Sequence, residues 1–299
     1  MAESRARPRQ QDREEIGPER RSIDLIWKRF RRNKLALVGL IIVALVTFLA
    51  IFAPFIAPHD PNTPYEGKMM LGPGTEGFLL GTDPIGRDLL SRIIYGSRVS
   101  LQVGIIAVGI GVVIGVILGL IAGYYGGIWD TLIMRLVDIF RGFPVILLAI
   151  AIMAVLGPSL YNVMIALGAV GWTTYARLVR GDSLSIREKE FVEAGKAIGL
   201  RDHQLLARYF LPNLLAPIIV VATFGMATAI LAEASLSFLG LGIQPPTPSW
   251  GSILADGRSF IRRAPHISIF PGLAIMFTIL GFNFLGDGLR DALDPKQDR

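Results

Sequence analysis

Residues 35–57 read LALVGLIIVALVTFLAIFAPFIA and contain no charged side chain. A helix of about 20 such residues crosses the hydrocarbon of a bilayer. Water is absent there, so every backbone N–H and C=O must find its partner inside the segment, and only helices and closed barrels meet that demand. The run is continuous, not alternating, and this excludes a barrel strand. It is followed by further apolar segments at 99–124, 128–156, 160–175, 214–238 and 267–285. The pattern predicts an all-α integral membrane protein with six transmembrane helices. Of the 299 residues 52% are hydrophobic, and because they are gathered in runs, lipid is the solvent to reason with.

The ends and loops set the expected orientation. Residues 1–34 are rich in Arg with Asp and Glu interspersed. Up to Gly17 this composition predicts a disordered tail. Residues 23–34, with Trp27 and Phe30 among Lys28, Arg29, Arg31, Arg32 and Lys34, predict an interfacial helix on an anionic leaflet. The basic stretch and the apolar run after it are both too long for a cleavable signal peptide, so the amino terminus is expected in the cytoplasm. Residues 58–96 then form an extracytoplasmic loop, 181–213 a cytoplasmic one and 240–266 a second outer loop, and 291–299 returns to the cytoplasm. Arg258, Arg262 and Arg263 fall outside against the positive-inside rule, but the first helix usually dominates orientation. The net charge of +6 is explained by charges flanking the spans, and no RNP, zinc-finger or basic-region pattern points to nucleic acid. With no cysteine, disulfides and thiolate metal sites are excluded.

Several residues inside the spans call for a reading. Gly111, Gly115, Gly119 and Gly123 recur every four residues, one ridge on which another helix can approach backbone to backbone. Arg135, Asp138 and Arg141 recur every three residues, so the carboxylate has a cation on each side. They read either as a charge relay or substrate-contacting cluster, or as groups near a cytoplasmic helix end that pair and snorkel; their place before Phe143 favours the second. Pro144 should kink this third helix. Glu233, followed by Ser235 and Ser237 late in the fifth span, is a candidate for the translocation pathway or for a bond to a neighbouring helix.

The polar stretch 185–213 separates two apolar segments. Ser185 and Glu188 fit a capping box that would start a helix. Phe191, Ala194 and Ile198 then fall on one face at i, i+3 and i+7. Gly199 stands where a helix C-terminus needs left-handed backbone. Asp202 can cap a second short helix carrying Leu205, Leu206, Tyr209 and Phe210, and Pro212 opens the next span. The expected result is a helix–turn–helix built to dock.

Glu193-Ala194-Gly195, then Gly199, then Leu211-Pro212 resembles the EAA coupling loop of ATP-binding-cassette (ABC) importer permeases, with Gly195 in place of the pattern's second Ala and Tyr209 in place of its Ile. Three further stretches resemble the C-type permease of dipeptide, oligopeptide and nickel importers: Leu80-Gly81-Thr82-Asp83 with Gly86-Arg87-Asp88; 233–251, reading EASLSFLGLGIQPPTPSWG; and Leu285-Gly286-Asp287-Gly288-Leu289-Arg290-Asp291. The likeness covers nearly everything after residue 28. It implies a type I ABC importer transmembrane domain over 97–290, working with a B-type permease, two ABC ATPase subunits, an extracytoplasmic substrate-binding protein and membrane lipid. It assigns Phe191, Ala194 and Ile198 to packing against an ATPase, Glu193 to a polar contact and Gly199 to the turn.

The chain has no GxxxxGK[ST] loop for ATP phosphates, no HExxH and no GxSxG, and its three histidines, His59, His203 and His266, are far apart. It is therefore not expected to be an enzyme or to hold a metal or cofactor; ATP and Mg would sit on the partner ATPases. Short peptides are the implied cargo, with nickel or another small solute as the alternative. A proton-coupled secondary transporter using Asp138 and Glu233 is the rival from another class. It predicts inverted repeats, and none is visible.

Overall fold

The computed structural model describes residues 26–293. The expected tail up to Gly17, the first residues of the interfacial helix and the last six of the carboxyl tail lie outside the described residues. Among the described residues regular structure is helical, with two isolated bridges, Thr75–Phe78 and Thr82–Asp88, in the stretch 58–88.

A short helix, α1 (26–32), packs Phe30 against Ala36 and Ala292. Asn33 ends it and starts α2 (Lys34–Ile51), accepting the N–H groups of Leu35 and Ala36 at 3.1 and 3.2 Å. The same side chain donates to Asp291 at 3.1 Å, tying the first span to the last. After α3 (Ala53–Ile56) the chain folds a compact loop, and α4 (Leu89–Tyr125) begins ten residues before the apolar run. Asp88 caps it, accepting from the Ser91 N–H at 2.9 Å, so polar residues are carried into the helix on a satisfied terminus.

α5 (Gly127–Arg141) and α6 (Val145–Leu156) correct the expectation of one kinked helix over 128–156: the two meet at 89°. Pro144 cannot donate to the ladder and drives the preceding residue out of helical backbone, so the helix stops instead of bending. α7 (Leu160–Arg187) also differs, running twelve residues beyond the expected end at Tyr175. Its charges are neutralised laterally. Arg177 donates to Asp138 of α5 at 2.8 Å, and Arg180 forms a two-bonded pair with Asp130. Asp138 is thus paired across helices and not with Arg135 or Arg141.

α8 (Glu190–Ala197) and α9 (Asp202–Leu205) follow, then a π-helical turn, Leu206–Phe210, leads into α10 (Leu211–Phe238). α11 (Trp250–Gly257) packs against α10 and α12, and α12 (His266–Leu293) closes the bundle, running on past the expected Leu285. Among the described residues four helices, counting α9 to α10 as one, are long and apolar enough to span a membrane, and the bent α5–α6 pair is a fifth candidate. α7 has the length, at 28 residues, but its charged second half keeps it out of that class.

The interior is organised by close backbone contact. The glycine ridge of α4 lies along α7. A Cβ at Gly115 would meet the Trp172 carbonyl at 2.6 Å, one at Gly119 the Ala176 carbonyl at 2.7 Å, and one at Gly123 the Ser183 Cβ at 2.5 Å. Gly111 is looser, 3.3 Å from the Tyr175 ring. On the other side, Gly39 of α2 is pressed against Gly281 and Leu285 of α12.

Candidate functional site

At the end where α4 finishes and α7 emerges, α8 and α9 form a small folded unit. The capping box expected at Ser185 and Glu188 is absent, because α7 continues through Ser185 to Arg187 and leaves Lys189 as the N-cap of α8, without a side-chain cap. Ser183 and Ile186 pack inward in that last stretch of α7, which explains why the helix persists there. Gly199 does have left-handed backbone, φ 81°.

α8 presents two different sides. Val192 and Gly195 are buried against Leu205, Leu200 and Tyr209. Phe191 and Ile198 point outward, 40% and 75% exposed, with Ala194 and Glu193 also exposed. The seam that holds the unit together is therefore built by Val192, Gly195, Leu205 and Phe210, and the Phe191–Ala194–Ile198 face is left without cover. The i, i+3, i+7 spacing was a true signal for one face, but it could not say which way that face turned. Phe191 is braced by stacking on Tyr209, ring centroids 5.7 Å apart.

The unit is fixed rigidly to the spans. The Tyr124 hydroxyl, near the end of α4, donates to Asp202 of α9 at 2.7 Å. Arg187 donates to the Tyr124 carbonyl at 3.3 Å, and the Lys196 ammonium stands 5.8 Å above the Tyr124 ring. Asp202 is thus the first residue of α9 and an acceptor for Tyr124, with Arg201 at the N-cap position. Leu211 and Pro212 form the first turn of α10. Proline there leaves a carbonyl of the preceding turn without its donor. Beside it, the Asn213 side chain donates to the Tyr209 carbonyl at 2.6 Å.

Glu233 lies elsewhere. It is fully buried at the junction of α10, α4 and the loop before α11. Ser237 donates to its carboxylate at 2.7 Å and Ser100 of α4 at 3.5 Å. Ser237 in turn accepts the Ile243 N–H at 3.3 Å, while Ser235 spends its hydroxyl on the Leu231 carbonyl at 2.8 Å. Of the two roles open to Glu233, the geometry is that of a bond to neighbouring elements. No part of the carboxylate opens onto a cleft.

A cleft does exist at the α5–α6 elbow. It encloses about 350 Å³ and is bordered by α4, α7 and α10. Its wall includes Arg141, Thr174, Tyr175, Phe224 and Thr228. The sequence grouped Arg141 with Asp138 on one helix, but Asp138 is taken by Arg177 of α7 and Arg141 stands in the wall of this cleft.

The loop before α4 is held by charge. Arg87 donates to Asp83 at 2.6 Å, both buried, and reaches Asp256 of α11 at 3.4 Å. Burial pushes the Asp256 carboxyl up, and Arg87 and Arg92 pull it back down. His59 lies 3.5 Å from Asp88, His203 is exposed on α9, and His266 begins α12, so the three histidines stand apart.

Comparison with known proteins fits this architecture. Residues 115–299 match the family described as the binding-protein-dependent transport system inner membrane component, more than half of the chain. The chain belongs to this family. Residues 23–73 of this permease match in addition the N-terminal transmembrane domain of oligopeptide transport permease C. It is 49% identical over 270 residues to a dipeptide transport system permease protein of Alkalihalophilus pseudofirmus, covering 90% of this chain and 88% of that one. It is also 49% identical over 271 residues to a glutathione transport system permease protein of Shigella flexneri, covering 90% and 89%. Among solved structures, an inward-facing methionine ABC transporter aligns with TM-score 0.56 and 20% identity over 69% of this chain and 98% of that one. An amino acid ABC transporter aligns with TM-score 0.52 and 17% identity over 67% and 94%. At such identities these two speak for the fold, that of a type I ABC importer transmembrane domain. The permease is accordingly a multi-pass membrane protein.

Proposed function

We propose that this chain is one of two permease subunits of an ABC importer for short peptides, and that it forms half of the translocation path. Relatives nearly half identical over 90% of the chain are named for dipeptide and for glutathione, itself a tripeptide, and this supports peptide cargo over nickel. A B-type permease supplies the other half, and an extracytoplasmic binding protein delivers the cargo. The chain is not itself an enzyme. ATP and Mg are held by two ATPase subunits on the cytoplasmic side, where both termini also lie. α7 counts as the sixth crossing, its paired charges facing the α5 side.

The observation that carries the mechanism is the uncovered Phe191–Ala194–Ile198 face on a unit braced to α4 and continuous with α7 and α10. An ATPase groove that grips α8 moves three helices at once, the rigid-body form of coupling. Glu193, exposed beside that face and unpaired among the described residues, supplies a polar contact at its rim. Apolar anchors within a polar rim are the usual anatomy of such an interface.

The test is purification of the tagged chain from mild detergent, followed by reconstitution of whatever co-purifies. An ATPase and a second permease in the eluate, with ATP-driven uptake of a labelled dipeptide delivered by the binding protein, is the expected result. A stable homo-oligomer that takes up solute on a proton gradient alone would overturn the reading.

A further inference from the structure

The elbow cleft sits at an unusual depth for a charged residue. Ala107 and Val108 line it from the middle of α4, and Phe224 and Gly225 from the middle of α10. At 1.5 Å per residue these positions are roughly 20–27 Å from either end of their helices. The hydrocarbon is about 30 Å thick, so the cleft lies near mid-depth. Arg141 is in its wall, is exposed, and forms no ion pair with another described residue. Its neighbours Arg177 and Arg180 each have a carboxylate; Arg141 has none.

An unpaired cation at mid-depth is expensive and is retained where it serves a pathway. Its place as the last residue of α5 gives it the favourable end of the helix dipole, which makes the site tolerable but does not explain its place in the wall of a cleft. The other polar groups there are neutral hydroxyls. Thr174 is exposed, and Thr228 is exposed while donating to the Phe224 carbonyl at 3.2 Å, so its oxygen remains free to accept. One guanidinium among neutral hydroxyls in an apolar wall suits a ligand with one carboxylate on an otherwise variable body.

We propose that Arg141 contacts the C-terminal carboxylate of the peptide as it passes the elbow cleft, making it a specificity-determining residue of this half of the path. The proposal rests on the peptide-importer reading above. Every unmodified peptide carries that carboxylate whatever its side chains, so a guanidinium recognises the class without choosing a sequence. The planar fork can bind both oxygens, and the mostly apolar wall strengthens the bond. The aliphatic stem and the Phe224 ring leave the rest of the wall apolar and undemanding.

The experiment uses the assembled transporter in proteoliposomes, with ATP inside and saturating loaded binding protein outside. Uptake of alanyl-alanine is compared with that of its C-terminal amide, which has the same shape without the charge. The amount of assembled complex is measured for each variant. Arg141→Gln is expected to lower uptake of the acid by about tenfold, the scale of one lost charge-assisted bond, and to leave uptake of the amide within about twofold. Arg141→Lys, which keeps the charge without the fork, should recover most of the acid uptake. Unchanged acid uptake in Arg141→Gln would overturn the proposal. Equal losses for acid and amide, or failure of Arg141→Gln to assemble, would make Arg141 a structural partner of the second permease and overturn it as well. A wild-type complex that hydrolyses ATP but imports neither peptide would instead remove the peptide reading, and this proposal with it.

Discussion

The hydroxyl of Tyr124 and the carboxylate of Asp202 are 2.7 Å apart, a bond that joins the end of α4 to the first turn of α9 across 78 positions of sequence. It is charge-assisted and partly shielded. Tyr124 also packs edge-on against Phe210, ring centroids 5.3 Å apart, so one ring serves both the polar and the apolar fastening of the α8–α9 unit.

Removing only the hydroxyl tests the fastening. Tyr124→Phe keeps the ring packing and loses a bond to a charged group, a change of about 1.5–3 kcal/mol. The expected outcome is a lower ratio of peptide imported to ATP hydrolysed in proteoliposomes, with the complex still assembled. An unchanged ratio would show that the unit follows the spans without this bond.

The α4–α7 seam gives a sharper prediction about folding. At Gly115 even one methyl would meet backbone, the Trp172 carbonyl at 2.6 Å and the Ala176 nitrogen at 2.9 Å. Gly115→Ala should therefore destabilise the protein by about 1–3 kcal/mol, the usual scale of overpacking. Gly109, on the same helix with nothing within 4 Å, is the control. Thermal denaturation in detergent should separate the two: Gly109→Ala melting as wild type, Gly115→Ala well below it.

Much of this fold was legible from residues alone, and the reasons for the exceptions are physical. Uncharged runs mark spans because lipid allows no other backbone solution, and the four-residue glycine spacing marks a ridge because helical periodicity is rigid. Gly199 was legible for the same kind of reason, since a helix end in left-handed backbone favours glycine. What could not be read was anything settled across helices. Arg177 and Arg180 seemed to end a span at Tyr175, but Asp138 and Asp130, 39 and 50 positions earlier, allow α7 to carry them. Pro144 announced an irregularity without stating an angle, and the 89° between α5 and α6 makes the elbow at which the cleft lies. Glu233 was open between two roles because the choice depended on Ser100, a residue of another helix.

The outward face of α8 predicts a separation between folding and assembly. Ile198 is 75% exposed, so Ile198→Glu should leave insertion and melting within about 0.5 kcal/mol of wild type. If this face meets an ATPase, the same change buries a charge at an apolar contact and should weaken subunit association by at least about tenfold. Co-purification of the ATPase at matched expression measures this. Val192→Glu, aimed at the buried side, should instead abolish folded protein. An Ile198→Glu variant that retains its ATPase in full would remove α8 as the docking element.

Glu233 separates a structural carboxylate from a transport group. In Glu233→Gln the side chain keeps its shape, its one oxygen can still accept from Ser237 and its amide can donate to the Ser100 oxygen, so a junction role predicts near-normal peptide uptake. Glu233→Leu leaves both hydroxyls buried without that acceptor, at a cost of about 1–3 kcal/mol for each group left unsatisfied. Its expected effect is a lower melting temperature, with uptake reduced only in proportion to the folded complex. The measurement is therefore uptake per assembled complex for both variants. If Glu233→Gln assembles normally yet imports no peptide, the carboxylate takes part in transport itself, and the proton-coupled alternative regains the one residue that the packing had taken from it.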